Sequence, residues 1–264
     1  MIKLEKDIHP LESLSLQDFS YSRLSTFIEC SLKYYYSYII KEPQEFGHAA
    51  TLGNIIHKAL EITIEDGQAI DLSELLMNYK AARFEYDHLN EIPDTMIENG
   101  EAMLRDYVVI NSGEQKVFAK ELAFSFVLNH ARFNGYIDYV AVYEDYVHVR
   151  DYKSGAREVA AKNVPNDLQL GIYSLYMKYL YPDKDIYAEL YYLKSGRLKG
   201  HRFSDDDLLA VESKLNDLSE LVLTTDNFTP TADESKCNWC SYAKNGVCSI
   251  GQQRLRRRSP GYSR

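Results

Sequence analysis

Residues 133–155 read FNGYIDYVAVYEDYVHVRDYKSG, and this stretch decides the fold. Two runs rich in Val, Ile and Tyr flank the acidic pair Glu144-Asp145, the pattern of a β-hairpin that turns at the acids. Side chains alternate faces along a strand, so Val147, Val149, Asp151 and Lys153 share one face. The apolar row therefore ends in a carboxylate and an ammonium that point the same way. Asp138, near the middle of the partner strand, can bring a second carboxylate to the same place. Two convergent carboxylates beside a lysine can hold a divalent metal and orient a water against a phosphodiester. Alone, Asp-x-Lys at a strand end reads as a surface ion pair. Its weight comes from the rest of the chain.

Working outward, residues 116–128 alternate as a preceding strand, and residues 166–180 return to a helical period with Pro165 placed to open the helix. Residues 186–195 and 198–203 read as a strand pair around Ser195-Gly196, and 205–224 as a last helix capped by Ser204 or Asp205. Upstream, 20–41 reads as one helix, with Leu24, Phe27, Ile28, Leu32 and Tyr35 at helical spacing. A second helix over 50–65 carries the stripe Leu52, Ile55, Ile56, Leu60 and Ile64. Residues 71–110 stay helical but polar, with a break near Pro93, and read as an insertion. Helix, three strands, helix, strand describes one α/β domain over 1–264. Its parts are N-terminal helices at 20–65, the helical insertion at 70–110 and a core at 116–203. A C-terminal helix and cysteine segment follow at 204–250, then a basic tail at 251–264.

Hydrophobic content of 45% and charged content of 26% over 264 residues are ordinary for a soluble chain with one large core or two modest ones. No run of about 18 apolar residues is present to span a membrane. The first residues carry acids where a signal peptide would have its apolar stretch, so a cytoplasmic protein is expected. A net charge of −9 argues against a polyanionic partner, but the charge is uneven. Arg254, Arg256, Arg257, Arg258 and Arg264 make the tail strongly positive. Tyrosine is abundant, 22 residues against one Trp, and clusters at Tyr34-Tyr35-Tyr36-Ser37-Tyr38. Core packing is the favoured reading of that cluster over base stacking.

Three further sets of residues bear on chemistry. His57 sits in the second helix, where a lone histidine is usually a surface residue but a rigidly held imidazole is also a good metal ligand. Gln169 and Tyr173, four apart on one helix, share a face and can hydrogen-bond a lysine or a phosphate, although taken alone the pair is better read as a solvated helix face. The four cysteines form Cys237-x-x-Cys240-x7-Cys248 plus the distant Cys30, with none left over. Disulfides do not suit a cytoplasmic chain, and four thiolates suit either zinc or an iron–sulfur cluster. Zinc more usually gathers two CxxC pairs. Ligands at 30 and 237 would close a very long loop.

Taken in order, these motifs resemble the PD-(D/E)xK nuclease superfamily, in its iron–sulfur branch of RecB-type and CRISPR-associated exonucleases. The likeness runs from about Tyr21 to Cys248. Ser22-x-Leu24-x-x-Phe27-x-x-Cys30 matches the opening helix and first cluster cysteine, and Gly53-x-x-x-His57 the metal-binding histidine. Glu121 matches an acid on the first core strand. Gly135-x-x-Asp138 and Asp151-x-Lys153 match the two catalytic motifs, and Gln169-x-x-x-Tyr173 the motif on the next helix. Cys237, Cys240 and Cys248 match the terminal triad. Ser31 stands where the family commonly has proline, and the gap from Cys240 to Cys248 is a little longer than usual.

The resemblance implies a restriction-endonuclease-like α/β core with helical insertions. It implies that His57, Asp138, Asp151 and the Tyr152 carbonyl hold Mg²⁺ or Mn²⁺ and that Lys153 orients or deprotonates the attacking water. Gln169 and Tyr173 would position Lys153 and the DNA backbone. Cys30, Cys237, Cys240 and Cys248 would hold a structural [4Fe-4S] cluster. The implied function is a metal-dependent DNA exonuclease in recombination, repair or replication. Alternatives are a CRISPR-associated nuclease trimming DNA for spacer acquisition and a non-catalytic DNA-binding or assembly subunit. The expected partners are DNA with a free end or single strand, and a helicase, recombination or CRISPR-adaptation protein. No membrane partner is expected.

Overall fold

The alternation of residues 133–155 is realised as two antiparallel strands, β4 (Ala131–Val142) and β5 (Tyr146–Lys153). They belong to a computed structural model that describes residues 2–4, 16–44, 47–87 and 91–258. The end of the basic tail, residues 259–264, lies outside the described residues. Two units divide the chain, one from residues 1–18 and 47–215, the other from 19–46 and 216–264.

The first unit is built on a sheet in the order β1 (Ile2–Leu4), β3 (Ala119–Leu128), β4, β5, β6 (Asp185–Tyr192), β7 (Arg197–Phe203). A short β2 (Gln17–Phe19) pairs with β4, Gln17 N donating to His130 O. Every pair on the main path is antiparallel except β5 with β6. A parallel pair needs a crossover, and here α6 (Leu168–Leu180) supplies it and packs on both strands. Pro165 does not open α6. It lies in a preceding 3-10 turn, Ala161–Asn166, and Asp167 starts the helix by accepting a hydrogen bond from Leu170 N at 3.0 Å. An acceptor side chain satisfies an orphan helix N–H, which proline cannot do.

Three helices pack together on this unit: α3 (His48–Thr63), α4 (Leu72–Tyr86) and α5 (Asp94–Ile110). Their apolar stripes, including Ile55, Ile56, Leu75 and Leu104, form one buried cluster with Tyr139, Ala141, Tyr152 and Tyr191 of the sheet. Tyr79 of α4 ties into α5 by donating to Ile97 O at 2.9 Å. A Cβ on Gly100 would strike that tyrosine hydroxyl, so glycine there permits the close crossing. α7 (Asp205–Thr224) starts at Ser204, whose hydroxyl accepts from Asp207 N.

The second unit does not contain the single helix expected over 20–41. α1 (Tyr21–Glu29) stops at Cys30, whose backbone is extended (φ −165, ψ 105), and the chain resumes as α2 (Ser31–Tyr34) and a π-helical turn, Tyr35–Ile39. The break is held from far along the chain. Leu32 N and the Ser31 hydroxyl both donate to Thr229 O, and Thr229 N donates back to Ser31 Oγ. Ser31 thereby stitches two distant segments. The tyrosine cluster packs: Tyr34 is buried and meets Phe27, Tyr38 and Phe228, while Tyr36 meets Tyr242. Among the described residues, no helix is long and apolar enough to cross a membrane.

Candidate active site

Register brings the first two carboxylates together. Tyr139 pairs with Arg150 and Val140 with Val149, so one step further along the ladder Asp138 faces Asp151. Asp138 Oδ2 accepts from Tyr152 N at 2.7 Å, which ties the two strand ends at the site. Asp151 is 2% exposed, and Lys153 Nζ lies 2.8 Å from its Oδ2. Burial, with the Asp138 charge in support, pushes the Asp151 carboxyl up against the opposing pull of Lys153.

The lysine is held from a second side. Lys153 Nζ donates to Gln169 Oε1 at 2.6 Å, and Gln169 Nε2 donates to Tyr173 OH at 2.7 Å. An ammonium has only donors, so the amide must present its oxygen to Lys153 and its nitrogen to Tyr173. Burial, then the charges of Asp151 and Asp138, keep the Tyr173 phenol protonated well beyond its usual range. The row Asp151, Lys153, Gln169, Tyr173 thus locks the ammonium in one position between the strand and α6.

On the cleft side, α3 contributes His57. Its Nε2 lies 3.0 Å from Tyr152 O and its Nδ1 3.4 Å from Asp138 Oδ1. Both ring nitrogens face acceptors, which suits an imidazolium. Burial opposes that charge, but the hydrogen bond and charge of Asp138, with Asp151 and Glu121, outweigh it and raise His57 to about 9. One turn before His57, a Cβ on Gly53 would sit 3.1 Å from Ser154 Oγ, so the loop after β5 can rest against the helix.

Glu121 completes the group. It stands opposite Asp138 in the β3–β4 register, but the ladder skips this pair and Glu121 takes a left-handed backbone, φ 45. Such a conformation in a non-glycine residue is held against strain of about 1–3 kcal/mol and is concentrated at functional sites. Burial and the Asp138 charge lift the Glu121 carboxyl to about 7, with His57 pulling the other way. Ligand atoms of His57, Glu121 and Asp138 lie within 4.8 Å of one another. Next to them is a cavity of about 10 Å³, room for one water-sized sphere, lined by His57, Glu121, Asp138 and Tyr152. An open cleft of about 570 Å³ leads to it past Gly53, Glu61 and Ser154. The donor set of imidazole, carboxylates and a carbonyl fits a hard divalent cation.

A second cluster lies wholly within the second unit. Cys30, Cys237, Cys240 and Cys248 are all free thiols. Burial raises the Cys248 thiol, and the charges of Cys240, Cys30 and Cys237 raise it further, so all four sulfurs lie within electrostatic reach. Three carry hydrogen-bond donors: Thr231 N to Cys30 and Gly251 N to Cys248 at 3.3 Å each, and Arg254 Nη1 to Cys237 at 3.8 Å. Such donors favour thiolates.

A family model described as the PD-(D/E)XK nuclease superfamily matches residues 18–248. The chain belongs to that superfamily. Members are nucleases that use divalent metals such as Mg²⁺, and the fold here is the mixed α/β core of that group. Among solved structures, a "Putative exonuclease" from Eubacterium rectale superposes with a TM-score of 0.53 over 99% of this chain and 96% of its own. At 10% identity that likeness shows a shared fold. The protein SSO0001 aligns over 76% of this chain and 96% of its own at 12% identity, with a TM-score of 0.34, too low to carry an argument. No curated protein sequence matches the chain.

In this PD-(D/E)XK nuclease every sequence-derived site residue of the first unit falls in one cluster: His57, Asp138, Asp151, Tyr152, Lys153, Gln169 and Tyr173. The compact trio that could hold a metal ion includes Glu121, which was not in the ligand set expected from sequence, while Asp151 lies against Lys153. Glu121 was visible only as a motif match. Its left-handed backbone leaves no trace in local composition.

Proposed function

We propose that this protein is a metal-dependent DNA exonuclease serving recombination, repair or replication. The observation that carries the reading is the convergence of His57, Glu121 and Asp138 beside a water-sized cavity, with buried Asp151 and a doubly held Lys153 on the adjoining strand. The exonuclease description of the Eubacterium rectale protein supports the finer assignment.

His57, Glu121, Asp138, Asp151 and the Tyr152 carbonyl would hold Mg²⁺ or Mn²⁺. When bound, that ion neutralises the scissile phosphate and makes water a better nucleophile. The protein's own contribution is positional. Lys153, fixed by Asp151 and Gln169, orients the water and meets the negative charge that grows on the phosphate oxygens as water oxygen bonds to phosphorus and the bridging P–O bond breaks. Tyr173 holds Gln169 and so holds the lysine.

We assign the cysteines to a structural [4Fe-4S] cluster. The grouping of one distant cysteine with a clustered three supports this, whereas zinc usually gathers its ligands in two CxxC pairs.

The test is an anaerobic assay on end-labelled single- and double-stranded DNA with Mn²⁺ or EDTA. Cleavage is expected with Mn²⁺ alone, releasing nucleotides from one end. Lys153→Ala should lose it by roughly a hundredfold or more. Full activity in Lys153→Ala, or in EDTA, would overturn the assignment.

A further inference from the structure

The chain has a single tryptophan, and it is on the outside. Trp239 ends the short 3-10 turn Glu234–Trp239, between Cys237 and Cys240, and is 86% exposed. An indole is large, largely apolar and usually covered. Other rings of the same unit are covered: Tyr34 and Tyr35 meet Phe228, and Tyr36 meets Tyr242.

The mount is firm. Asp233 caps the turn by accepting from Ser235 N, Cys240 N closes it onto Cys237 O, and Cys237 is buried. Arg254, from α8 (Ser249–Arg258), binds Thr231 O at 2.6 Å and lies 3.4 Å from Glu234. The ring is therefore presented from an anchored turn with a helix packed against it.

Charge is the second observation. The chain carries a net charge of −9, yet from Lys236 to Arg264 there is no Asp or Glu at all, while lysines and arginines recur. Arg256 and Arg257 of α8 are exposed. A bare aromatic face inside an acid-free basic segment suits a polyanion that offers flat apolar faces. Single-stranded DNA has both, whereas a duplex hides its base faces in the stack.

We propose that Trp239 is a stacking platform for an unpaired nucleobase, and that Arg256 and Arg257 hold neighbouring phosphates. The second unit thus carries a single-strand binding site of its own. Its ligand class rests on the nuclease reading, but its test does not depend on cleavage.

Because Trp239 is the sole tryptophan, fluorescence excited beyond the tyrosine band reports on it alone. The full-length, anaerobically purified protein is titrated in EDTA with a thymidine oligonucleotide and with a duplex of equal length. The single strand should quench the signal, and the duplex should leave it nearly unchanged. By anisotropy of labelled DNA, Trp239→Ala should bind the single strand roughly tenfold more weakly, and Trp239→Phe should recover part of that loss. Single-strand binding without quenching would overturn the proposal, as would a protein partner being the only ligand that quenches. Cleavage in Mn²⁺ without quenching removes this site and leaves the nuclease intact. Quenching without cleavage does the reverse.

Discussion

At neutral pH His57 keeps the proton that an ordinary imidazole mostly releases, and Glu121 keeps in part the proton that an ordinary carboxylate gives up. In the metal-free protein Glu121 is raised to about 7 and His57 to about 9. A folded-state value above the unfolded one means the fold binds the proton more tightly. The stabilisation from Glu121 is therefore complete below its ordinary value of 4.5 and lost as pH rises through about 7. That from His57 is complete below 6.5 and lost through about 9. A divalent ion competes with the same protons, so its affinity should climb across this window. The melting temperature should thus rise more on adding Mn²⁺ at pH 8.5 than at pH 6, read by thermal shift. Glu121→Gln should be more stable than the parent without metal above pH 7 and should respond only weakly to Mn²⁺. An equal Mn²⁺ response at both pH values would remove these residues from the metal site.

Behind β5 lies a buried polar network that ties α5 to the site. Arg150 Nε donates to Glu189 at 2.6 Å, His148 meets the same carboxylate at 2.9 Å, and Arg150 Nη1 reaches Tyr107 OH of α5. Tyr107 OH in turn lies 2.9 Å from Tyr152 OH. Tyr152 is the residue whose backbone nitrogen meets Asp138 and whose carbonyl meets His57. α5 therefore steadies a proposed metal ligand through the far side of the strand. Tyr107→Phe leaves the Tyr152 hydroxyl buried without this partner and should cost about 1–3 kcal/mol of stability. The apparent Mn²⁺ dissociation constant, measured by titration, should rise about three- to tenfold, while kcat at saturating metal changes little. A lower kcat with unchanged metal affinity would deny the bracing role. Periodicity revealed most elements because their faces are set locally: the hairpin alternates, α3 has its stripe and the insertion breaks at Pro93. It failed where a distant segment decides. The apolar spacing runs unbroken through Cys30, yet Thr229 and Thr231 hold that backbone open. The same holds at the site. Asp138, Asp151 and Lys153 were legible because two adjacent strands carry them, whereas the inward turn of Glu121 and the Tyr107 brace depend on packing between remote residues.

Across the whole molecule, stability is unevenly founded. The first unit has a seven-stranded sheet and a large helical cluster to bury its apolar surface. The second is assembled from two segments about two hundred positions apart and from short helical pieces, with aromatic contacts and scattered hydrogen bonds between them. A small unit built from short helical pieces gains from a staple, and four thiols at 30, 237, 240 and 248 are placed to provide one. Closing so long a loop removes much of the freedom of the unfolded chain. Cys240→Ala should bleach the visible absorbance of anaerobically purified protein, remove most of its iron and lower its solubility. Its melting temperature should fall by roughly 5–15 °C. The proposed metal-ligand residues lie in the other unit, so soluble Cys240→Ala should still show the pH-dependent Mn²⁺ response. Colourless parent protein carrying stoichiometric zinc would refute the iron–sulfur assignment while keeping the staple. A variant as stable as the parent would refute the staple itself.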